Sequence, residues 1–144
     1  MTATGLDTLA LGGISLVVDG KSVAAGETVA YRGVMLGGVP NFAFVMGYLN
    51  SSWTLKADLS CHYVCRLLIE MRARRARVAV PEPDPAMPVV EWFENFTSNY
   101  LARAAGKFPK QGRENPWRFH QNFLRDWVAM HMCSVQDKYV KFYS

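Results

Sequence analysis

Few side chains in this sequence have both the type and the spacing to do chemistry. Cys61, His62 and Cys65 stand close together within an apolar stretch. On a helix, however, His62 is turned about 100° from Cys61, so the three do not converge on one metal ion. Buried cysteines on an apolar helix face are the favoured reading, and no metal is expected. Ser51 and Ser52 occupy a turn but lack the G-x-S-x-G surroundings of an esterase nucleophile. His120 lies in a basic, aromatic segment and is a candidate general base, although a helical histidine is more often packed or solvated. The run "RARRAR", Arg72 to Arg77, suits either phosphate contacts or the last turns of a helix, where cations face the negative end of the dipole. The helix end is favoured, and no nucleic acid is expected as a partner. The most suggestive stretch is "GVPNFAFVMGYLNSSWTLKADL", in which an apolar run stops at Gly47 and opens a helix. A strand feeding a helix N-terminus presents backbone N–H groups to an anionic or electron-rich ligand.

These residues have to be positioned by a small set of elements. "ISLVVDGKSVAA" reads as a β-hairpin with Asp19-Gly20 as a type I′ turn. A strand is expected over 41–46, between Pro40 and Gly47. The longest helix is expected over 52–74, capped by Asn50, Ser51 or Ser52, with Leu55, Leu59, Tyr63 and Leu67 on its apolar face, flanked by Val64, Leu68 and Met71. Pro81, Pro83, Pro85 and Pro88 end that pattern in a stiff connector over 80–89. Beyond it, Val90, Phe93, Phe96, Tyr100 and Leu101 share one helical face that Gly106 would stop. Asn115-Pro116 would start a last helix lined by Phe119, Phe123, Trp127 and Met130. The expected organisation is therefore α/β: a β-hairpin and short strands with a long helix over 1–79, the connector, and a helical segment over 90–144.

At 144 residues, 50% hydrophobic and 19% charged, the chain has the composition of a globular domain with a core of its own. Its net charge of +4 admits an anionic ligand but is too small to argue for nucleic acid. No apolar run is long enough to span a membrane, and no secretory leader is evident, which suggests a cytoplasmic protein with reduced thiols. "MTATGLDTLALGG" has strand character from its first residues, as a truncated start would.

Taken in order, "ATGL", "LGG", "YRGVMLGGVPNFAFVMGYLNSSWTLKADL", "YVCRLL" and "FPKQGRENPWRFHQN" resemble flavin-containing monooxygenases, in their Baeyer–Villiger-like branch. The resemblance covers nearly the whole chain and is most specific in its long middle stretch. It implies the C-terminal part of a flavoprotein with two dinucleotide-binding domains. It also implies FAD and NADPH as cofactors, and a small-molecule substrate (a ketone or a soft heteroatom such as sulfur) that receives one oxygen atom from O2. No G-x-G-x-x-G is present, so the FAD and NADPH fingerprints would lie in N-terminal domains outside this sequence, and the chain alone would be inactive. By the same resemblance, Thr4 and Gly5 mark the return from the NADPH domain to the FAD domain. Gly47, Asn50, Ser51, Ser52 and Trp53 form the group that meets the flavin ring. Relatives more often read G-Y-T-N-A-S-W, so Leu49 removes a hydroxyl there and Ser51 adds one. No catalytic residue is expected within the chain. Trp92, Phe96, Trp117 and Phe119 are candidates to shape the substrate end. Rival readings are a non-catalytic remnant or interaction module with an exposed apolar patch prone to self-association, or a basic nucleic-acid binder. Association with a membrane surface is a further expectation.

Overall fold

The computed structural model describes residues 9–92 and 106–144. Thr4, Gly5, Phe93, Phe96, Tyr100 and Leu101 lie outside the described residues. Within them the architecture is α/β, with four small two-stranded antiparallel sheets and two helices. β1 (Leu16–Val18) and β2 (Lys21–Val23) form the expected hairpin, with Val18 opposite Lys21. Asp19 and Gly20 take φ of 50° and 78°, the pair of positive angles that a type I′ turn requires. β3 (Ala30–Tyr31) and β4 (Met35–Leu36) form a second hairpin through Arg32, Gly33 and Val34, with Arg32 and Gly33 at positive φ.

The expected strand over 41–46 is not a ladder strand. Phe44 and Met46 are buried and Val45 is exposed, as in a strand, but among the described residues only Ala43 of this run makes a β-bridge, to Met35. Its backbone donors find partners one at a time: Asn41 N–H donates to Ala79 O and Phe44 N–H to Val34 O.

α1 (Trp53–Arg74) matches its expected span and has Ser52 as N-cap. Its buried face is rotated from the expected one: Lys56, Leu59, Ser60, Tyr63 and Leu67 point inward, while Leu55 and Leu68 are exposed. The reason is that a polar network, described below, draws Lys56 inside. Cys61, Cys65 and Cys133 are free and exposed, so the expectation of buried cysteines is corrected. Arg75 ends the helix in a left-handed conformation, with its N–H donating to Arg72 O. Arg74 pairs with Glu70 at 2.6 Å and lies 5.0 Å over the Phe142 ring, so this arginine of the run serves the helix end and its packing.

Pro81 closes β5 (Val78–Pro81), which pairs along its length with β8 (Val140–Tyr143), a C-terminal strand that the sequence pattern did not reveal. Val90 belongs to β6 (Val89–Val90), paired with β7 (Gln111–Gly112), and not to a helix. The last helix, α2 (Phe123–His131), starts later than Asn115-Pro116 suggests. Residues 112–119 spend their backbone groups elsewhere: Trp117 N–H donates to Glu114 O, Gly112 N–H to Trp117 O, and Phe119 N–H to the Gln111 side chain. Asn122 is the cap, its side-chain oxygen accepting from Arg125 N–H at 3.0 Å. The inward residues of α2 are Asp126 and Met130, with Trp127 partly exposed.

Two clusters make the core. One joins Leu59, Tyr63 and Leu67 of α1 to Tyr31, Met35, Trp117 and Met130. The other gathers Leu36, Phe44, Met46 and Tyr48 around Trp92 and Phe119. Trp92, Trp117 and Phe119 are thus packing residues, with Trp92 and Phe119 ring centroids 5.1 Å apart; the expectation that they shape a substrate end is not what their burial supports.

Candidate functional site

The first half of the Gly47–Trp53 turn is held by Gln121, just before α2, and by Asp126 on α2. Tyr48, at its start, is buried and donates its hydroxyl to Asp126 Oδ2 at 2.7 Å. Further into the turn, Leu49 N–H donates to Gln121 Oε1 at 2.9 Å, and Asn50 Nδ2 donates to Gln121 O at 3.0 Å. Gln121 reaches both partners from a left-handed backbone, φ 51°. Lys56, one turn into α1, is fully buried and places Nζ 2.8 Å from the same Asp126 Oδ2. That ammonium also lies 5.2 Å from the Phe119 ring centroid. Asp126 therefore ties the start of the turn to the helix that follows it, across three segments of chain.

Burial pushes the Lys56 ammonium below its ordinary range, with the Asp126 carboxylate acting against that. Burial pushes the Tyr48 phenol up, and its bond to Asp126 adds to the effect. Lys56, Asp126, Tyr48 and Gln121 were missed by sequence reasoning. The signal available was a lysine at the spacing 56, 59, 63, 67, in register with three residues of the apolar face.

Between these anchors the turn is open. Asn50, Ser51 and Ser52 are exposed, and Trp53 is 55% exposed. The Ser52 side chain does not cap α1; its hydroxyl bonds Thr54 Oγ1 at 2.7 Å, so the first-turn amides of the helix receive no side-chain acceptor from it. Gly47 is buried beneath Trp53: a Cβ placed on it would lie 2.2 Å from the indole Cγ and Cδ2. Glycine is what allows the Trp53 ring to lie against the chain here. Of the expected cofactor-binding residues, the structure brings together Gly47, Asn50, Ser51, Ser52 and Trp53 in this one turn.

On its other side, the segment from Asn115 through α2 borders a cleft of about 750 Å³, whose walls include Arg32, Arg118, His120, Leu124, Arg125 and Asp137. His120 precedes α2 and is not helical. Its Nδ1 lies 3.3 Å from Arg125 Nη1, and its Nε2 lies 2.6 Å from Asn115 Oδ1. A guanidinium can only donate, so Nδ1 is the acceptor and Nε2 carries the proton that is given to Asn115. Burial, and then the neighbouring Arg125 and Arg118, hold this imidazole below its usual range. Both nitrogens are thus engaged, which removes His120 as a free general base. Arg32, at φ 52°, donates to Tyr31 Oη (3.0 Å), Ala129 O (3.2 Å) and Asp137 Oδ2 (3.3 Å). No group of three or more metal-ligating side chains occurs among the described residues.

The class of protein to which this chain is similar is that of the FAD-containing monooxygenases. Over 99% of its length it is 43% identical to the FAD-containing monooxygenase EthA of Mycobacterium tuberculosis, and it covers 29% of that protein. It is 38% identical, over 99% of its length and 29% of the relative, to the probable FAD-binding monooxygenase AlmA of Acinetobacter baylyi. Over 88% of its length it is 41% identical to the putative FAD-containing monooxygenase MymA of M. tuberculosis, covering 26% of it. The chain thus spans less than a third of the length of these relatives. No family model and no solved structure matches it. The resemblance read from the motifs is shown by these similarities. Among the described residues, no helix is long and apolar enough to cross a membrane.

Proposed function

We propose that the chain is the C-terminal portion of an FAD- and NADPH-dependent monooxygenase that transfers one oxygen atom from O2 to a ketone or a soft heteroatom such as sulfur, in a cytoplasmic setting. The observation that carries the reading is the Gly47–Trp53 turn, with its helix N-terminus uncapped by Ser52, its start held by Asp126 and Gln121, and the helix beyond it held by Asp126 through Lys56. A reduced flavin carries negative charge at the N1–C2=O edge of its ring, and amides at a helix N-terminus favour such charge. The residues present fit that group: exposed donors in Asn50, Ser51 and Ser52, a partly exposed indole at Trp53, and a glycine whose missing Cβ leaves room for it. FAD supplies the redox and oxygen chemistry when bound, and this chain positions the amides that face it. Thr4 and Gly5 belong to the same reading, as the crossing between the two dinucleotide domains.

The test is a chimera in which this chain replaces the matching portion of the M. tuberculosis EthA protein. A folded chimera that retains bound FAD and oxidises NADPH in step with a sulfide or ketone substrate is the expected result, while the 144-residue chain alone gives no turnover. A chimera that folds by circular dichroism but is colourless overturns the reading.

One observation favours a second reading, an interaction module. Met132, just after α2, and Leu68 and Ile69 on α1 leave large apolar side chains exposed outside the cleft. Such a surface suits association with other protein segments, in a parent enzyme or between copies.

A further inference from the structure

The cleft beside α2 has a charge imbalance that its own residues do not resolve. Among the described residues it holds two carboxylates, and both are spoken for. Asp126 takes the Lys56 ammonium and the Tyr48 hydroxyl. Asp137 takes Tyr31 and Arg32 through Oδ2, and the backbone N–H groups of Tyr139 and Val140 through Oδ1. Arg32 is likewise committed, to Tyr31, Ala129 O, Ser134 O and Asp137. Arg118, Arg125 and Lys138 remain. All three line the cleft, and none is in an ion pair with a carboxylate among the described residues. Arg125 is oriented by the neutral His120 ring, which costs it none of its charge. Beside these cations the wall is apolar, with Leu124 72% and Val128 49% exposed. The volume of about 750 Å³ lies within the range of small-molecule sites.

We propose that this cleft binds a small organic anion, a phosphate or carboxylate carried on an apolar body, with Arg118, Arg125 and Lys138 holding the head group and Leu124 and Val128 the body. The site is separate from the turn assigned to the flavin and does not depend on that assignment. A guanidinium matches either anion with two parallel N–H donors, so Arg118 and Arg125 set orientation and Lys138 adds charge.

Calorimetric titration of the 144-residue chain with phenyl phosphate, benzoate and the neutral benzyl alcohol, at low and at physiological salt, tests this. Saturable one-to-one binding of an anion, weakened by salt, is expected. Arg118→Ala and Arg125→Gln should each lower its affinity by roughly tenfold, in line with the loss of a charge-assisted bond at an accessible site. Arg118 and Arg125 are exposed, so both variants should keep the wild-type circular dichroism, and Arg72→Ala at the far end of α1 should bind as wild type. Tighter binding of phenyl phosphate would mark the head group as phosphate, and tighter binding of benzoate would mark it as carboxylate. The proposal is overturned if neither anion gives saturable heat, if benzyl alcohol binds as well as they do, or if both arginine variants bind unchanged.

Discussion

Replacing Asp126 by asparagine keeps the shape of the side chain and an oxygen for the Tyr48 hydroxyl, but leaves the Lys56 ammonium without its counter-charge. Lys56 is 0% exposed, and its other polar contact is the Arg32 carbonyl at 3.4 Å, so water cannot replace the lost carboxylate. Breaking a buried pair in this way costs about 3–5 kcal/mol. An independent limit follows from titration. The folded variant can escape the buried charge by releasing the proton, and from an ordinary lysine value of 10.5 this costs about 5 kcal/mol at pH 7 at roughly 1.4 kcal/mol per unit. The two figures agree, and the expected loss for Asp126→Asn at pH 7 is about 3–5 kcal/mol. The sign of its pH dependence is fixed as well. With the folded Lys56 pushed down and the unfolded one at its ordinary value, the unfolded state binds the extra proton between them. Wild type shares part of this slope, but the variant lacks the carboxylate that holds the lysine up, so its folded value lies lower still. Its stability rises with pH by up to about 1.4 kcal/mol per unit, and the deficit narrows as pH rises from the variant's value toward the wild type's. Adding Lys56→Met should recover most of the loss, because the double variant buries no charge and the introduced asparagine still accepts from Tyr48. Urea unfolding followed by tryptophan emission across this pH range measures all of this. A loss below about 1 kcal/mol, a deficit that does not narrow with pH, or a double variant no more stable than the single one would refute the reasoning.

Two further perturbations follow from the same geometry. Gly47→Ala places a methyl 2.2 Å from the Trp53 ring and 2.8 Å from its Cβ, too near the root of the side chain for a rotation to relieve. It should cost about 1–3 kcal/mol and shift the Trp53 emission; unchanged stability and unchanged emission would show that the ring does not lie against Gly47. Tyr31, Tyr48 and Tyr63 are each pushed up, chiefly by burial, so the folded state holds their protons where the unfolded state has released them. Their contribution is fully present below about pH 10 and is lost as pH rises above it, at up to about 4 kcal/mol per unit for the three together. Tyrosinate absorbance should therefore rise in step with unfolding, and titration of all six tyrosines while the circular dichroism stays native would exclude this.

The features legible in the sequence are those that local chemistry controls. Asp19-Gly20 makes its hairpin because both residues tolerate positive φ, and α1 runs its expected course because its formers are uninterrupted from Trp53 to Arg74. The order of the motifs was enough to point to flavin-containing monooxygenases, and the similarities over 99% of this chain bear that out. Tertiary structure settled everything that rests on partners far apart in the chain. Val140–Tyr143 is a strand only because Val78–Pro81 lies opposite, and four residues carry too little pattern to announce it. The apolar run over 41–46 had the composition of a strand, but no segment among the described residues takes up its backbone groups as a ladder. Asn115-Pro116 had the makings of a helix start, yet Gln111 claimed the Phe119 amide and Gly112 the Trp117 carbonyl that a helix would have used. A lysine beside an apolar stripe is ordinarily solvated, and spacing alone does not mark Lys56 as buried. Asp126, 70 residues away in the chain, turns it inward, because a buried ammonium is tolerated only where a carboxylate meets it. That pair fixes which face of α1 is buried, and with Gln121 it fixes where the Gly47–Trp53 turn is held.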